Sequence, residues 1–303
     1  MFKIKDLSMI VAVYNSELYI EKCVDSMLEL KDINLEIVLV NDGSKDNVLE
    51  ILKKYRDNPK VLIYTQENKG VGSTRNKGVE LSSGKYIYFA DGDDYINPEN
   101  FSKVFKIMKE FDLDFIMADA LEVDELGKVI KKRKKHSDIL NLGITSGKNM
   151  FRKLIEKKSI AVEVWSNIYK REFLEKNNLV FKKYFYDDHF FTQQIYYYAK
   201  KVMYSNESFY NYVRRDNSIT TSLNLDMNRR RIDSVKNLIK DLIEFNKEYK
   251  LVSKEWNFLP ISNYYNYIFF LKQNRDQSTE KNIDFKNLMF KDKLKYMRII
   301  IWR

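Results

Sequence analysis

GKYIYFADGDDYINPE, residues 84–99, decides the fold class. Its run Tyr86–Ala90 is short and rich in aromatics and Ile, which reads as a buried strand rather than a helix. The run ends on Asp91, Asp93 and Asp94 around a single glycine, and Pro98 then suits the first turn of a helix. A strand that hands over to a helix through a polar loop is one unit of an α/β protein. The carboxylates raise a second question, because two unit charges about 4 Å apart repel by roughly 4 kcal/mol at an effective dielectric near 20. Either water or a cation offsets that cost.

The alternation extends in both directions. Leu7–Val13, Leu35–Val40, Val61–Tyr64 and Asp114–Ala118 read as further strands, with helices expected over Glu17–Leu30, Asp46–Tyr55, Val71–Leu81 and Pro98–Phe111. Ser16 and Ser44 are expected helix caps. Strand and helix in this rhythm predict right-handed crossovers and a mostly parallel sheet. After residue 119 the pattern changes. Residues 120–145 read as a strand pair and a basic surface loop, with Glu125-Leu126-Gly127-Lys128 as the turn and KKRKKH as the solvated part. Helices are expected again over Ser146–Lys157, Asp187–Lys200, Met227–Tyr249 and Ser253–Leu271. The expected division is a catalytic unit over residues 1–215 and a helical C-terminal region over 216–303, serving acceptor, oligomer or membrane contact.

Bulk properties narrow the class. A chain of 303 residues with 44% hydrophobic content can bury a large core, and 3 Pro and 9 Gly leave no room for a low-complexity linker. One cysteine, Cys23, excludes an internal disulfide framework and a multi-cysteine metal site. The N-terminal apolar run is too short for a signal peptide and no run of about 18 apolar residues occurs, so a cytoplasmic location is expected. Residues 1–118 carry 16 basic and 20 acidic side chains, net −4, whereas residues 119–303 carry 37 and 23, net +14. A nucleic-acid binder is suggested by that charge alone. No recognition motif supports it, and the negative N-terminal part repels phosphate.

In an open parallel sheet, ligands bind outside the carboxyl ends of the strands. The unusual residues fall there: Ala12-Val13-Tyr14-Asn15, Asn41-Asp42-Gly43-Ser44, Gln66-Glu67-Asn68-Lys69-Gly70 and Asp91-Gly92-Asp93-Asp94. Each alone is ordinary turn chemistry. Together they suit a nucleoside diphosphate carried by a divalent metal. Asp42 offers an acceptor for a base N–H, Tyr14 a flat face, and Arg75 a partner for phosphate. Asp91 and Asp93 supply hard oxygen ligands of the kind that select Mn²⁺ or Mg²⁺.

The successive segments MIVAVYNSELYIEKCVDSML, EIVLVNDGSKDN, QENKGVGSTRNKG and GKYIYFADGDDYINPE resemble the motifs of family 2 glycosyltransferases, which have the GT-A nucleotide-diphosphosugar transferase fold. VWSNIYKREFLEKNNLVF, YDDHFF and YNYVRRDNSIT resemble the acceptor-side half of bacterial members. The resemblance implies inverting transfer of a single sugar from a nucleotide donor, most often a UDP-sugar, to a hydroxyl of a glycan, lipid-linked glycan or glycoprotein in bacterial surface polysaccharide synthesis. It places Ala12, Tyr14, Asp42, Asn68, Arg75 and Asp91 along the nucleotide, with Asn15 and Gly92 on the same loops, and Asp93 on the metal. The family's acidic pair falls on Asp187-Asp188, whose second member usually acts as general base. Asp187 in place of the usual Glu leaves open which carboxylate is the base. Local sequence also allows the pair merely to cap a helix beginning at His189, and it allows His189 as a third metal ligand but favours a helix-surface or packed side chain.

Ala12 stands where many relatives have proline and Gly92 where serine is common, both small changes. The absence of Gln-x-x-Arg-Trp and of membrane spans argues against a processive synthase. The last segment, Lys286 to Arg303, carries 6 basic and 1 acidic residue among apolar ones and reads as a helix for peripheral membrane contact through Trp302, or one that packs on the catalytic unit. Tyr264, Tyr265, Tyr267, Phe269 and Phe270 form an aromatic stripe suited to core or homodimer packing, or to sugar stacking. The rival reading is a catalytically silent protein that binds a nucleotide sugar or a partner.

Overall fold

The computed structural model describes residues 5–133, 137–160, 162–215 and 225–273. The C-terminal segment 286–303 and the Phe269 and Phe270 side chains lie outside what is described. Contacts divide the chain into two compact units, Met1–Ser222 and Leu223–Arg303.

The first unit opens with β1 (Leu7–Val13), α1 (Ile20–Leu28), β2 (Leu35–Asp42), α2 (Val48–Leu52), β3 (Val61–Gln66), α3 (Val71–Leu81) and β4 (Tyr86–Asp91). It continues with β5 (Tyr95–Ile96), α4 (Pro98–Glu110), β6 (Phe115–Val123), β7 (Val129–Arg133), α5 (Ser137–Leu140) and α6 (Gly147–Glu156). It ends with β8 (Asn167–Lys170), α7 (Arg171–Lys176), α8 (Asp187–Tyr198) and β9 (Val202–Val213). Among the described residues the strands form one sheet in the order β3-β2-β1-β4-β8-β6-β9-β5, with β7 on β6.

Half of this sheet follows the expected pattern. β1 pairs in parallel with β2 and β4, and β2 with β3. The other half is mixed: β8 is antiparallel to both β4 and β6, β9 is parallel to β6, and β5 is antiparallel to β9. β5, β8 and β9 come from segments in which the sequence shows no clear strand period. Their pairing comes from distant partners, β8 on β4 and β6, β9 on β6, and β5 on β9, so no local signal announces it.

β1 explains why this sheet is buried on both faces: Leu7, Met9, Ile10, Val11 and Val13 are all at 0% exposure. Near-continuous apolar runs are what a parallel strand with helices on either side requires. Aromatics extend the core, with Tyr88 edge-on to Phe101 at 5.0 Å and to Phe209 at 5.7 Å. Two expected caps are corrected. Helix α1 begins at Ile20 and α2 at Val48, and neither has a side-chain cap. Ser16 is instead buried below the strand ends, and the Ser44 hydroxyl accepts from the Asn15 N–H at 3.0 Å. True caps occur where Asn97 accepts from the Asn100 N–H at 2.9 Å and Ser146 from the Asn149 N–H at 3.3 Å.

In the second unit, α9 (Leu225–Glu248) and α10 (Phe258–Gln273) pack together. Val235, Leu238, Ile239 and Leu242 make the buried stripe of α9, at the three- and four-residue spacing of a helix face. On α10, Tyr267 is buried and Tyr264 stacks on it at 6.5 Å. No described helix is long and apolar enough to cross a membrane.

Candidate functional site

Strand register brings the four polar loops side by side. Ala12 stands opposite Asp91, Val13 opposite Asn41, and Asp42 opposite Gln66. The Gly92 N–H donates to the Ala12 carbonyl at 2.9 Å, so the acidic loop lies flat on the end of β1. A Cβ at Gly92 would stand 3.1 Å from both that carbonyl and the Ser16 Oγ, which is buried without a hydrogen-bond partner. Tyr14 is 38% exposed at this edge. Asn15, in the left-handed region at φ 49°, receives the Lys45 N–H on its Oδ1 at 2.8 Å. Glu17 and Asp46 exchange a second set of contacts, Glu17 N–H to Asp46 at 2.8 Å and Asn47 N–H to Glu17 at 2.7 Å. The first two loops are therefore locked together. Asn15, Glu17, Leu18, Tyr19, Lys45 and Asp46 line a cavity of about 360 Å³ beside them.

Asp42 is nearly buried, and its carboxylate is already engaged. It accepts from the Gln66 side chain, the Lys69 N–H and the Gly70 N–H, each at 2.8 Å. The Asn68 amide donates to the Asp42 carbonyl at 3.0 Å. With about four acceptor sites on a carboxylate, one remains for a ligand N–H. Asp42 thus builds the Gln66–Gly70 loop, and Asn68 braces it.

The three crowded carboxylates are separated by their partners. Asp91 accepts from Arg75 at 2.9 Å. Asp93 is ion-paired with Arg215. Asp94 is buried behind the loop, accepting from the Tyr210 hydroxyl at 2.6 Å and the Val213 N–H at 2.7 Å. Burial and then the charge of Asp91 raise the Asp93 carboxyl above its ordinary range, and burial and then Asp93 raise Asp94 well above it. Asp91 and Asp93 offer hard oxygens at the end of one strand, the donor type that would suit a divalent cation. They do not make a complete cage: among the described residues no three His, Cys, Asp or Glu side chains group as a metal site. His189 accordingly does not join them. Its ring packs against Tyr186 at 5.2 Å, and its Nε2 stands 3.9 Å from Asp188.

Arg75 is 5% exposed and spans two loops, donating to Asp91 and to Asp187, both at 2.9 Å. Its guanidinium lies over the Phe181 ring at 5.3 Å. Helix α8 begins at Asp187, so the acidic pair forms its first turn rather than preceding it. The close approach depends on Gly72, where a Cβ would come within 2.8 Å of the Lys182 carbonyl and 3.1 Å of Asp187. Asp187 is buried and consumed by Arg75, while the Asp188 side chain keeps 25% of its surface exposed. Both carboxyls are pushed up to about 7, in each case chiefly by burial, which Arg75 opposes. Glu163 and Asp91 add to the shift at Asp188.

Arg215 and Tyr19 carry no role in the sequence reading. Arg215 lies within YNYVRRDNSIT, but two adjacent arginines give no sign of which turns inward. Arg214 pairs with Glu122 at 3.0 Å, whereas Arg215 reaches Asp93 and covers the Tyr19 ring at 5.1 Å.

A mixed sheet with helices on both faces, acidic loops at its parallel strand ends and a second acidic pair at a helix start define a GT-A domain. Its backbone aligns with that of Staphylococcus aureus TarS 1-349, crystallised with UDP-GlcNAc, at a TM-score of 0.64 and 18% identity, over 97% of this chain and 79% of that one. The model for Glycosyl transferase family 2 matches residues 8–179, and the chain belongs to that family. It is 32% identical over 213 residues to the putative glycosyltransferase EpsH of Bacillus subtilis, covering 68% of this chain and 60% of that protein. It is 30% identical over 220 residues to the uncharacterized glycosyltransferase YibD of Escherichia coli, covering 71% of this chain and 63% of that protein. The chain thus spans about six tenths of the length of these relatives.

Proposed function

We propose that the chain is an inverting, metal-dependent glycosyltransferase that moves one sugar from a UDP-sugar to a hydroxyl of a bacterial surface glycan, lipid-linked glycan or glycoprotein. The observation that carries this reading is the Arg75 bridge. One buried guanidinium ties Asp91, at the end of β4, to Asp187, and so fixes Asp188 at the edge where the strand-end loops meet. Family membership supports the reaction class, and the UDP-GlcNAc and UDP complexes of TarS favour a uridine donor.

Asp188 is the better base of the pair. Both carboxyls are poised near neutrality, but Asp187 has its carboxylate on Arg75, whereas Asp188 retains solvent access. As the acceptor oxygen bonds to the anomeric carbon, its proton passes to Asp188, the bond from that carbon to the diphosphate oxygen breaks, and the electron pair leaves on the nucleoside diphosphate. Ala12, Tyr14, Asn15, Asp42, Asn68 and Gly92 line the donor. Asp93 and Asp91 would hold Mn²⁺ or Mg²⁺, which supplies charge neutralisation to the departing diphosphate. Arg75 acts from behind, holding Asp91 and Asp187 in place. We read residues 1–222 as the catalytic unit and the helical remainder as an acceptor, oligomer or membrane contact.

The test is UDP release across a panel of nucleotide sugars, with Mn²⁺ and with EDTA. Turnover on a UDP-sugar that EDTA abolishes is expected. Binding of nucleotide sugar without turnover on any acceptor would instead establish the silent binding protein.

A further inference from the structure

The hairpin of β6 and β7 is not used by the site, yet its construction is specific. Its turn is locked by Asp124, whose Oδ1 accepts from the Leu126 N–H at 3.0 Å and the Lys128 N–H at 2.8 Å, while Gly127 takes the left-handed φ of 84°. This rigid turn presents Leu126 at 94% exposure, followed by Val129 at 53% and Ile130 at 49%. Four of the six residues from Lys128 to Arg133 are basic. Lys132 is partly engaged, at 3.6 Å from Asp119, and Arg133 pairs with Glu122 and Glu163. Lys128 and Lys131 are exposed and have no carboxylate partner among the described residues. Apolar side chains at a fixed tip flanked by free cations match the interface of an anionic bilayer, with its acyl boundary below and its negative headgroups around.

The hairpin is also tied to the site. The Tyr19 hydroxyl donates to Glu125 at 2.8 Å, and Tyr19 lies under the Arg215 that pairs with Asp93. A surface engaged by this tip is therefore held at the edge of the candidate site. A second copy of the chain pairing along β7 is the main competing occupant. Consecutive Lys131, Lys132 and Arg133 on that strand oppose it by like-charge repulsion, a common way of blunting a sheet edge.

We propose that the Leu126 hairpin docks on anionic membrane, with Leu126, Val129 and Ile130 entering the interface and Lys128 and Lys131 on the headgroups. This surface is distinct from the C-terminal segment singled out in the sequence, and it holds whichever donor the site takes. The experiment is cosedimentation of the full chain with vesicles of phosphatidylcholine alone and of phosphatidylcholine with phosphatidylglycerol. Wild type should pellet with the anionic vesicles only. Each cation near such a surface is worth about fivefold in partitioning, so K128E/K131E should bind at least ~25-fold more weakly. L126E should also lose binding, and both variants should keep the wild-type melting temperature and nucleotide affinity. The proposal is overturned if wild type ignores anionic lipid, if either variant binds as wild type does, or if the chain dimerises without lipid through a contact that L126E removes.

Discussion

Asp42 and Asp93 are both carboxylates at the ends of parallel strands, but they are satisfied in opposite ways. Asp42 is held by three donors from one neighbouring loop, two backbone N–H groups and one amide, 24 to 28 residues along the chain. Asp93 is held by a single guanidinium 122 residues away. Backbone donors cannot leave without dismantling the loop, so Asp42 is part of the frame. A long arginine side chain can release its partner by rotating a few bonds, so the Asp93 pair can be remade without dismantling its loop. The edge at Asp42 is built rigid, whereas the edge toward Arg215 and Asp188 holds Asp93 by an ion pair that can be remade.

The sharpest way to test this contrast is at the second edge. D188N should lower transfer by about 10²–10⁴-fold with little change in UDP affinity, measured by UDP release and calorimetry. An equal loss of affinity would place Asp188 in the frame instead. The same pair predicts the pH response. With carboxyls pushed up to about 7, kcat/KM should rise with pH through about 7 on the acid limb, and D188N should remove that limb. The stability effect has the opposite sense. The folded state holds protons that the unfolded chain releases above the ordinary 3.8, so the pair's contribution is full at low pH and lost as pH rises through about 7.

R75M breaks the bridge between the two edges. It leaves the buried Asp187 without its cation, and a loss of ~3–5 kcal/mol is expected in thermal or urea unfolding. A loss below 1 kcal/mol would show the two edges to be independently held. D42N tests the rigid edge alone. An amide keeps one acceptor oxygen and turns an N–H toward a backbone donor, so a loss of ~1–3 kcal/mol is expected by urea unfolding. The smallest effect belongs to G92S. The serine Cβ fits at 3.1 Å from Ser16 Oγ with a slight shift and supplies that buried hydroxyl with a partner, so stability should change by less than ~1 kcal/mol. A larger loss would mean that the loop tolerates no movement against β1.

Much of the first edge was legible because its determinants are local. Apolar runs of strand length, Pro98 and the glycine-bearing turns each act over a few residues, and the four strand-end loops follow from alternation alone. The second edge was legible only as a resemblance. YDDHFF marks the acidic pair, yet nothing in those letters separates Asp187, spent on Arg75, from Asp188, left open. The same holds for Arg75, which reads as a phosphate partner until its two carboxylates are seen. The Ser44 cap fails because its hydroxyl accepts from the neighbouring loop at Asn15, which outweighs local cap preference, and Ser16 is buried beside Gly92 with its hydroxyl unpaired.

By itself the sequence determined the parallel half of the sheet, the family and the identity of the acidic loops, since strand period and turn chemistry are properties of short segments. Only the tertiary structure decided the mixed half of the sheet, the sharing of Arg75 between Asp91 and Asp187, and the pairing of Arg215 with Asp93. Those are meetings of groups 16, 112 and 122 residues apart. Burial sets the protonation of the carboxylates there, and burial is created only when the chain closes on itself.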